Sequence, residues 1–280
     1  MISGFLLVNK DSGISSSRVV QILKKKFNLK KVGHLGTLDP MATGLLIIAI
    51  NRATKFASLL LQSEKSYRAE VTLGTQTDTD DAEGAVIYTK KNYMNKSEVK
   101  EALLTFLGES EQLPPNYSAL KHKGKPMYKY ARDGIKVDKP ARKIFIKNIN
   151  NIEINFPIVS FDIRCSKGTY IRSIARDLGI KLSCGAHLSK LIRTSQEKFM
   201  LSDACSIDDT NLEKLISLES AFEDLDFIQL NDGDTTAFLH GRSIEVDFEH
   251  TDLMRVYDAA NKFIAIGKKT SQGFKHEYLV

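Results

Sequence analysis

Apolar and turn-rich segments alternate along the first 50 residues of the chain. Residues 5–8 (FLLV) form a short apolar run that predicts a strand, and the turn-rich NKDSGISSS follows it. Val19, Leu23 and Phe27 then recur at helical spacing behind a serine that predicts the N-cap. Residues 44–50 (GLLIIAI) are apolar throughout and are bounded by Gly and Asn, which predicts a buried strand.

Further strands are predicted by a period of two. Residues 65–74 (KSYRAEVTLG) place Tyr67 and every second residue after it on one face, so we expect a half-buried strand. Residues 144–156 and 159–165 carry the same strand signal.

Two segments are predicted as helices. One spans residues 97–108, with Ser97 as the N-cap and Gly108 as the terminator. The other begins near Thr169 and ends at Gly179, so that Tyr170 and Arg172 fall in its first turn, just after a strand.

The pattern changes near residue 227. Residues 228–280 contain short strand-like pieces (FIQL, RSIEV, LMRVYD, KFIAIG and HEYLV) separated by turn residues. This predicts two domains, residues 1–227 and a small all-β module over residues 228–280.

Composition narrows the class of protein. The chain has 280 residues, 42% of them hydrophobic, which is enough for a substantial core. The net charge of +6 suits a polyanionic partner without requiring one. Three cysteines without a C-x-x-C pair indicate neither a disulfide framework nor a zinc site, and are typical of the reducing cytoplasm. The apolar runs are too short for a signal peptide or for the roughly 20 residues of a membrane helix.

The stretch GHLGTLDPMATGLL holds the candidate chemistry. Nucleotide-loop, zinc-protease and serine-hydrolase motifs are missing from the sequence. Asp39 stands among glycines before an apolar run, where a carboxylate can act as a nucleophile toward carbon. A turn residue before proline that caps local amides is the alternative, and the spacing alone does not decide. His34 is equally open to a structural interpretation.

Two other segments also leave alternatives open. Tyr117, Tyr128 and Tyr130 stand among lysines and form either an RNA-stacking surface or a loop packed on the core. The acidic loop TQTDTDDAEG is similar to a calcium loop, but its glycine and its distal glutamate are misplaced.

Several motifs together resemble one family. GHLGTLDPMATGLL resembles the G-H-x-G-x-L-D-P-x-A-x-G-x-L signature of the TruB-type tRNA pseudouridine synthases. LLVNKDSGISSSRVV, KSYRAEVTLGTQTDTDDAEG, PPNYSALKHKGKPMYKYARDGI, CSKGTYIRSIARDLG and CGAHLSKLIRTS resemble its other motifs, in the same order. The resemblance implies an α+β fold: a catalytic domain with a central mixed, largely antiparallel sheet flanked by helices, and a PUA-like RNA-binding module over residues 228–280.

The resemblance also implies a reaction and a set of site residues. Uridine becomes pseudouridine at position 55 in the T arm of tRNA, with no metal or organic cofactor. Asp39 matches the essential aspartate, Arg172 would pair with it and keep it ionised, and Tyr67 would stack on the flipped uracil. The remaining matches fill the space left by extruded bases, line the uracil pocket or support the loops: His34, Tyr170, Leu191 and Lys10. Asp11 stands where the family usually has proline, which weakens the loop and adds a charge near Lys10.

Partners follow from the same resemblance. We expect a monomer that acts on tRNA in the cytoplasm without an obligate protein partner. Phosphate contacts are expected from Lys and Arg within residues 121–132, from Arg193 and from the C-terminal module. The alternatives are a non-catalytic RNA-binding or tRNA-folding protein on the same scaffold, and a relative that acts on a different RNA.

Overall fold

The structure, a computed structural model, describes residues 2–90, 95–117, 121–122, 124–127, 130, 133–135, 137, 140–247 and 252–280. Tyr128 lies outside the described residues. The Lys and Arg side chains of the basic segment 121–132 are not among those described. The strands are β1 (Gly4–Lys10), β2 (Val32–His34), β3 (Thr43–Ile50), β4 (Lys65–Leu73), β5 (Thr75–Thr77), β6 (Val86–Thr89), β7 (Gly108–Gln112), β8 (Lys121–His122), β9 (Lys125–Pro126), β10 (Arg142–Asn155), β11 (Ile158–Cys165), β12 (Ala186–Gln196), β13 (Phe199–Met200), β14 (Phe227–Gln229), β15 (Leu253–Tyr257), β16 (Phe263–Thr270) and β17 (Gly273–Leu279). The α-helices are α1 (Ser16–Lys26), α2 (Ala53–Leu61), α3 (Lys96–Leu104), α4 (Ile171–Lys181), α5 (Leu218–Ala221) and α6 (Asp232–Leu239).

A mixed sheet forms the centre of the fold. Its described strands run in the order β1-β3-β12-β4-β11-β10-β7, with β2 and β13 paired at the side to make nine. The pairing of β12 with β3 is parallel and the other pairings are antiparallel. The predicted α+β class with a central mixed sheet is confirmed.

Two hydrophobic cores lie on opposite faces of this sheet. Leu6 and Val8 of β1 point into one core, together with Val19 and Leu23 of α1. Phe5 and Leu7 of the same strand point into the other core. Strand β3 divides its residues in the same alternating way, so both of its faces are buried. This double burial explains why residues 44–50 are apolar without a break.

Helix α1 confirms its predicted cap, because Ser15 accepts a hydrogen bond from the Arg18 amide at 3.2 Å. The predicted cap of α3 is wrong. Asn95, not Ser97, caps it, and Asn95 forms a reciprocal capping box with Glu98. The helix ends at Leu104, and Gly108 opens β7 instead of terminating the helix.

Helix α4, in contrast to α3, runs past its predicted end at Gly179. A Cβ on Gly179 would lie 2.2 Å from the backbone nitrogen of Ala186. The glycine is therefore required for close packing of α4 against the start of β12, and it does not stop the helix.

The C-terminal residues form a four-stranded sheet in the order β14-β15-β16-β17. The predicted all-β composition is wrong, because α6 lies within this region and is capped by the Asn231 side chain. RSIEV forms no strand there and contributes one bridge, from Ile244 to Phe274. Tyr278 contacts Phe56 of α2 at a ring distance of 5.4 Å. The division of the chain into two domains stays a prediction, and β14 begins at Phe227, one residue before the proposed boundary.

None of the described helices is both long enough and apolar enough to span a bilayer.

Candidate active site

A cleft of about 250 Å³ opens on the central sheet. Five of the seven residues singled out from the sequence line it: Asp39, Tyr67, Tyr170, Arg172 and Leu191. His34 and Lys10 lie outside its lining. The fold therefore gathers at one point residues that are up to 152 positions apart in the chain.

Asp39 lies in the loop between β2 and β3, and both of its neighbours are anchored. The Ser16 hydroxyl accepts a hydrogen bond from the Leu38 amide at 2.9 Å. On the other side, Lys10 Nζ donates to the Pro40 carbonyl at 3.1 Å. The Gly13 amide also donates to the Pro40 carbonyl, at 2.8 Å. These bonds fix the backbone on each side of the carboxylate.

Arg172 forms an ion pair with Asp39 through two nitrogens. Its Nε lies 2.9 Å from Oδ2, and its Nη2 donates to Oδ1 at 3.0 Å. The Arg172 side chain is only 5% exposed, whereas that of Asp39 keeps 31% of its surface accessible. The predicted ion pair is present, and its aspartate faces the cleft while its arginine is covered.

The acidic loop supplies partners that the sequence did not reveal. Asp81 Oδ2 lies 3.4 Å from Arg172 Nη1, and its side chain is 5% exposed. Asp80 pairs with Arg176, one turn further along α4, at 3.2 Å. These two ion pairs connect the acidic loop to α4 and hold the helix in position. Among the described residues, no group of His, Cys, Asp and Glu could hold a metal ion.

Arg172 also donates hydrogen bonds to two backbone carbonyls. Thr79 accepts one at 3.2 Å and Tyr117 accepts the other at 2.8 Å. The Tyr117 contact favours the interpretation of this segment as a loop packed on the core, at least at that residue.

The pKa of Asp39 is raised from its ordinary value of 3.8. Burial is the largest cause, and repulsion from Asp81 adds to it, while Arg172 and Lys10 lower the pKa. Arg172 lowers the pKa of Asp39, which is the direction expected of a partner that favours the ionised form. The guanidinium limits the rise but does not overcome the loss of water around the carboxylate.

Tyr67 lies on the inward face of β4, and burial raises its pKa to about 12. Arg193 lies beside it and donates to the carbonyls of Leu45, at 2.6 Å, and Gly36, at 3.0 Å. Arg193 is 1% exposed. The prediction that Arg193 contacts RNA phosphate is wrong, because the side chain is buried and two of its nitrogens donate to carbonyls inside the protein.

Tyr170 is the N-cap residue of α4, directly before the helix. The side chain of Gln112, at the end of β7, pairs with its backbone. Oε1 accepts from the Tyr170 amide at 2.8 Å, and Nε2 donates to the Tyr170 carbonyl at 3.1 Å. Leu191 faces the cleft from β12, opposite Ala69 of β4.

His34 and Lys10 lie near the cleft at the ends of β2 and β1. Burial lowers the pKa of His34, and Arg193 contributes to this shift. Lys10 is fully covered and donates to the carbonyls of Asp11 and Ile14, at 2.8 and 2.7 Å, in addition to Pro40. Burial lowers the pKa of Lys10 to about 8.

Comparison with known proteins places this geometry in a family. A family model described as "TruB family pseudouridylate synthase (N terminal domain)" matches residues 24–171. The chain is 41% identical to the tRNA pseudouridine synthase B of Clostridium kluyveri, with 98% of each chain covered. It is 38% identical to that of Thiobacillus denitrificans, over 95% of this chain and 92% of the relative.

The chain belongs to the TruB family. This membership confirms the resemblance inferred from the motifs. Solved structures agree in fold. One, titled "Structure of H/ACA RNP bound to a substrate RNA containing 2'-deoxyuridine", contains a chain that aligns with a TM-score of 0.73 at 23% identity, covering 99% of this chain and 84% of its own. A chain of a Cbf5-Nop10-Gar1 complex aligns with the same TM-score at 24% identity.

In this TruB-family chain the substitution of Asp11 for the usual proline leaves Lys10 well anchored. Three carbonyls hold its ammonium group, and none of these bonds depends on the side chain of residue 11. The Asp11 carboxylate instead acts on charge, because its attraction raises the pKa of Lys10 against the effect of burial.

Proposed function

We propose that the protein isomerises uridine to pseudouridine at position 55 in the T arm of tRNA. One observation carries the proposal: the Asp39 carboxylate is held by Nε and Nη2 of Arg172 and faces a cleft walled by Tyr67, Tyr170 and Leu191. The cleft volume of about 250 Å³ suits a single flipped pyrimidine nucleotide.

The reaction needs an ionised carboxylate. The bond between N1 of uracil and C1' of ribose is broken, the base turns within the cleft, and C5 forms the new bond to C1'. C5 then loses its proton to solvent and N1 takes one up, so that the product is an isomer of uridine. Asp39 attacks the sugar, attacks the base or assists formation of a glycal intermediate; in each route the negative charge acts at a fixed position. The ion pair with Arg172 holds the carboxylate in that position.

Base flipping precedes the chemistry. Unstacking a nucleotide costs a few kcal/mol, which contacts to the protein must offset. Tyr67 would stack on the everted uracil, with Tyr170 and Leu191 enclosing it. His34, at the end of β2 and outside the cleft lining, would occupy the space that the extruded bases vacate. Lys10 would act indirectly, through the Pro40 carbonyl next to Asp39.

RNA binding by residues 228–280 belongs to the same proposal, as do the basic residues within 121–132. We further infer that the protein works as a monomer in the cytoplasm, where its tRNA is found, and needs no protein partner. The relatives' names and the basic net charge of +6 support the tRNA substrate in this proposal.

The experiment measures tritium release from tRNA labelled at C5 of uridine. Asp39→Asn keeps the shape of the side chain and removes its charge, so we expect release to be abolished while tRNA binding persists. Asp203→Asn, which changes an exposed carboxylate outside the cleft, is the matched control and should release tritium at the wild-type rate. Undiminished release by Asp39→Asn would refute the proposal. Wild-type protein that binds tRNA without releasing tritium would favour the RNA-folding alternative.

A further inference from the structure

Arg142 lies against the cleft wall without taking part in the site described above. It is the first residue of β10 and the cross-strand neighbour of Gln112. Its guanidinium carbon lies 5.7 Å from the centre of the Tyr170 ring. A Cβ added to Gly168 would lie 3.3 Å from Nη1 of Arg142. Arg142 therefore packs on two residues that line the cleft, Gly168 and Tyr170.

The nitrogens of Arg142 lack acceptors in the part of the chain that the structure describes. Its Nε is fully covered and makes no hydrogen bond. Other arginines near the sheet are paired: Arg68 with Glu153 and Arg164 with Glu64. An arginine beside a cleft that has no acceptor among the described residues can satisfy its donors with a ligand that enters the cleft.

The geometry limits what that ligand can be. The guanidinium carbon lies over the Tyr170 ring, and no described residue accepts a hydrogen bond from either Nη nitrogen, so their N–H groups are available for binding. A guanidinium edge matches the paired oxygens of a phosphate. Two exposed lysines, the adjacent Lys143 and nearby Lys167, add positive charge, and Lys143 lies opposite Glu111 on β7.

We propose that Arg142 binds a phosphodiester of the RNA strand at the mouth of the cleft, next to the flipped nucleotide. This inference rests on the proposed function, in that RNA is the molecule that enters the cleft. The contact of Arg142 with Tyr170 couples the phosphate contact to the shape of the base pocket. Arg142 thus takes the role of phosphate contact that the sequence suggested for Arg193.

The test measures the dissociation constant of a T-arm hairpin RNA at several salt concentrations. Each phosphate contact contributes about 0.7 to 0.9 to the slope of log Kd against log salt. Arg142→Gln should reduce the slope by about that amount, whereas Arg142→Lys keeps the charge and should keep most of the slope. Lys100→Gln, an exposed change on α3, is the control for loss of one positive charge, and its slope should equal that of wild type.

A second measurement locates the phosphate. Single phosphates flanking the target uridine are replaced by neutral methylphosphonates, and binding is measured for the wild-type protein and Arg142→Lys. One position should weaken wild-type binding, and the weakening should be smaller for Arg142→Lys, which lacks the paired donors. This arm needs only Arg142→Lys, so it still decides the matter if Arg142→Gln fails to fold.

A wild-type slope in folded Arg142→Gln, or the absence of any sensitive phosphate, would overturn the inference. Both readouts are binding measurements, so they stand apart from the proposed function. Loss of tritium release in Asp39→Asn with an unchanged Arg142→Gln slope would leave the function intact and reject the phosphate contact.

Discussion

The side-chain amide of Gln112 pairs with the backbone of Tyr170 as a neighbouring strand would, accepting at 2.8 Å and donating at 3.1 Å. Gln112 is 2% exposed and lies at the end of β7. Tyr170 caps α4, and Arg172 follows two residues later. The two hydrogen bonds between Gln112 and Tyr170 therefore connect β7 to the start of α4, the helix whose Arg172 contacts Asp39.

Substitution of Gln112 by Ala should lower kcat more than it changes KM. Two hydrogen bonds of about 1 kcal/mol each are lost, which corresponds to a fall of roughly 30-fold in kcat if both act on the position of Arg172. Steady-state kinetics on tRNA measure both constants. Gln21→Ala, an exposed change in α1, is the control and should leave both constants unchanged. A rise in KM at constant kcat would show that Gln112 acts on binding alone.

The pH profile should have an acid limb above the ordinary aspartate pKa of 3.8, because burial raises the pKa of Asp39. Activity requires the ionised form, so kcat/KM should fall as the pH drops through this raised pKa. Asp81 contributes to the rise by repulsion. Asp81→Asn should therefore lower the rate, through weaker placement of Arg172, and move the acid limb to lower pH. A limb that moves upward in Asp81→Asn would contradict this electrostatic account.

Lys10 should make the stability of the fold depend on pH in the alkaline range. Its pKa is about 8 in the folded protein and 10.5 in its ordinary state. Between these values the unfolded chain binds a proton that the folded chain has released, so the free energy of unfolding gains a contribution as pH rises through this window. The gain is absent below pH 8. Denaturant unfolding of wild type and Lys10→Met at several pH values measures it, and the difference between them should grow in favour of wild type toward pH 10.5. A constant difference would show that Lys10 does not titrate in this range.

Arg193 should act on stability and catalysis without contributing to the salt dependence of RNA binding. Arg193→Gln removes the positive charge and the planar fork that spans the Leu45 and Gly36 carbonyls. We expect a loss of about 2 kcal/mol in the free energy of unfolding, with reduced activity because Tyr67 loses its neighbour. Urea denaturation and the slope of log Kd against log salt are the two measurements. A fall in the slope in the folded variant would restore the earlier interpretation of Arg193 as a phosphate contact.

Much of the fold could be predicted because its strands follow simple patterns. The alternation through Tyr67 in β4 and the unbroken apolar run of β3 correspond directly to their burial. Strand β12 was not predicted, although it lies at the centre of the sheet. A register shift between Leu188 and Lys190 interrupts its period of two. Its buried residues also include Arg193 and Gln196, which look exposed from the sequence alone.

The site was predictable only where a motif or the family resemblance marked its residues. Asp39 and Arg172 were found in this way, and the fold brings them into contact across 133 positions. Asp81 and Gln112 were missed because their roles exist only after folding. An aspartate in an acidic loop and a glutamine before prolines are typical surface residues until a distant arginine or helix terminus meets them.

The most direct test of the central claim is complementation in a strain that lacks this gene. The claim is that the Asp39 carboxylate, held by Arg172, forms pseudouridine at position 55 of tRNA. Mapping of pseudouridine in bulk tRNA should show none at position 55 in the deletion strain, restoration by the wild-type gene and no restoration by an equally expressed Asp39→Asn gene. Pseudouridine at position 55 in the strain that carries Asp39→Asn as its sole copy would contradict the account.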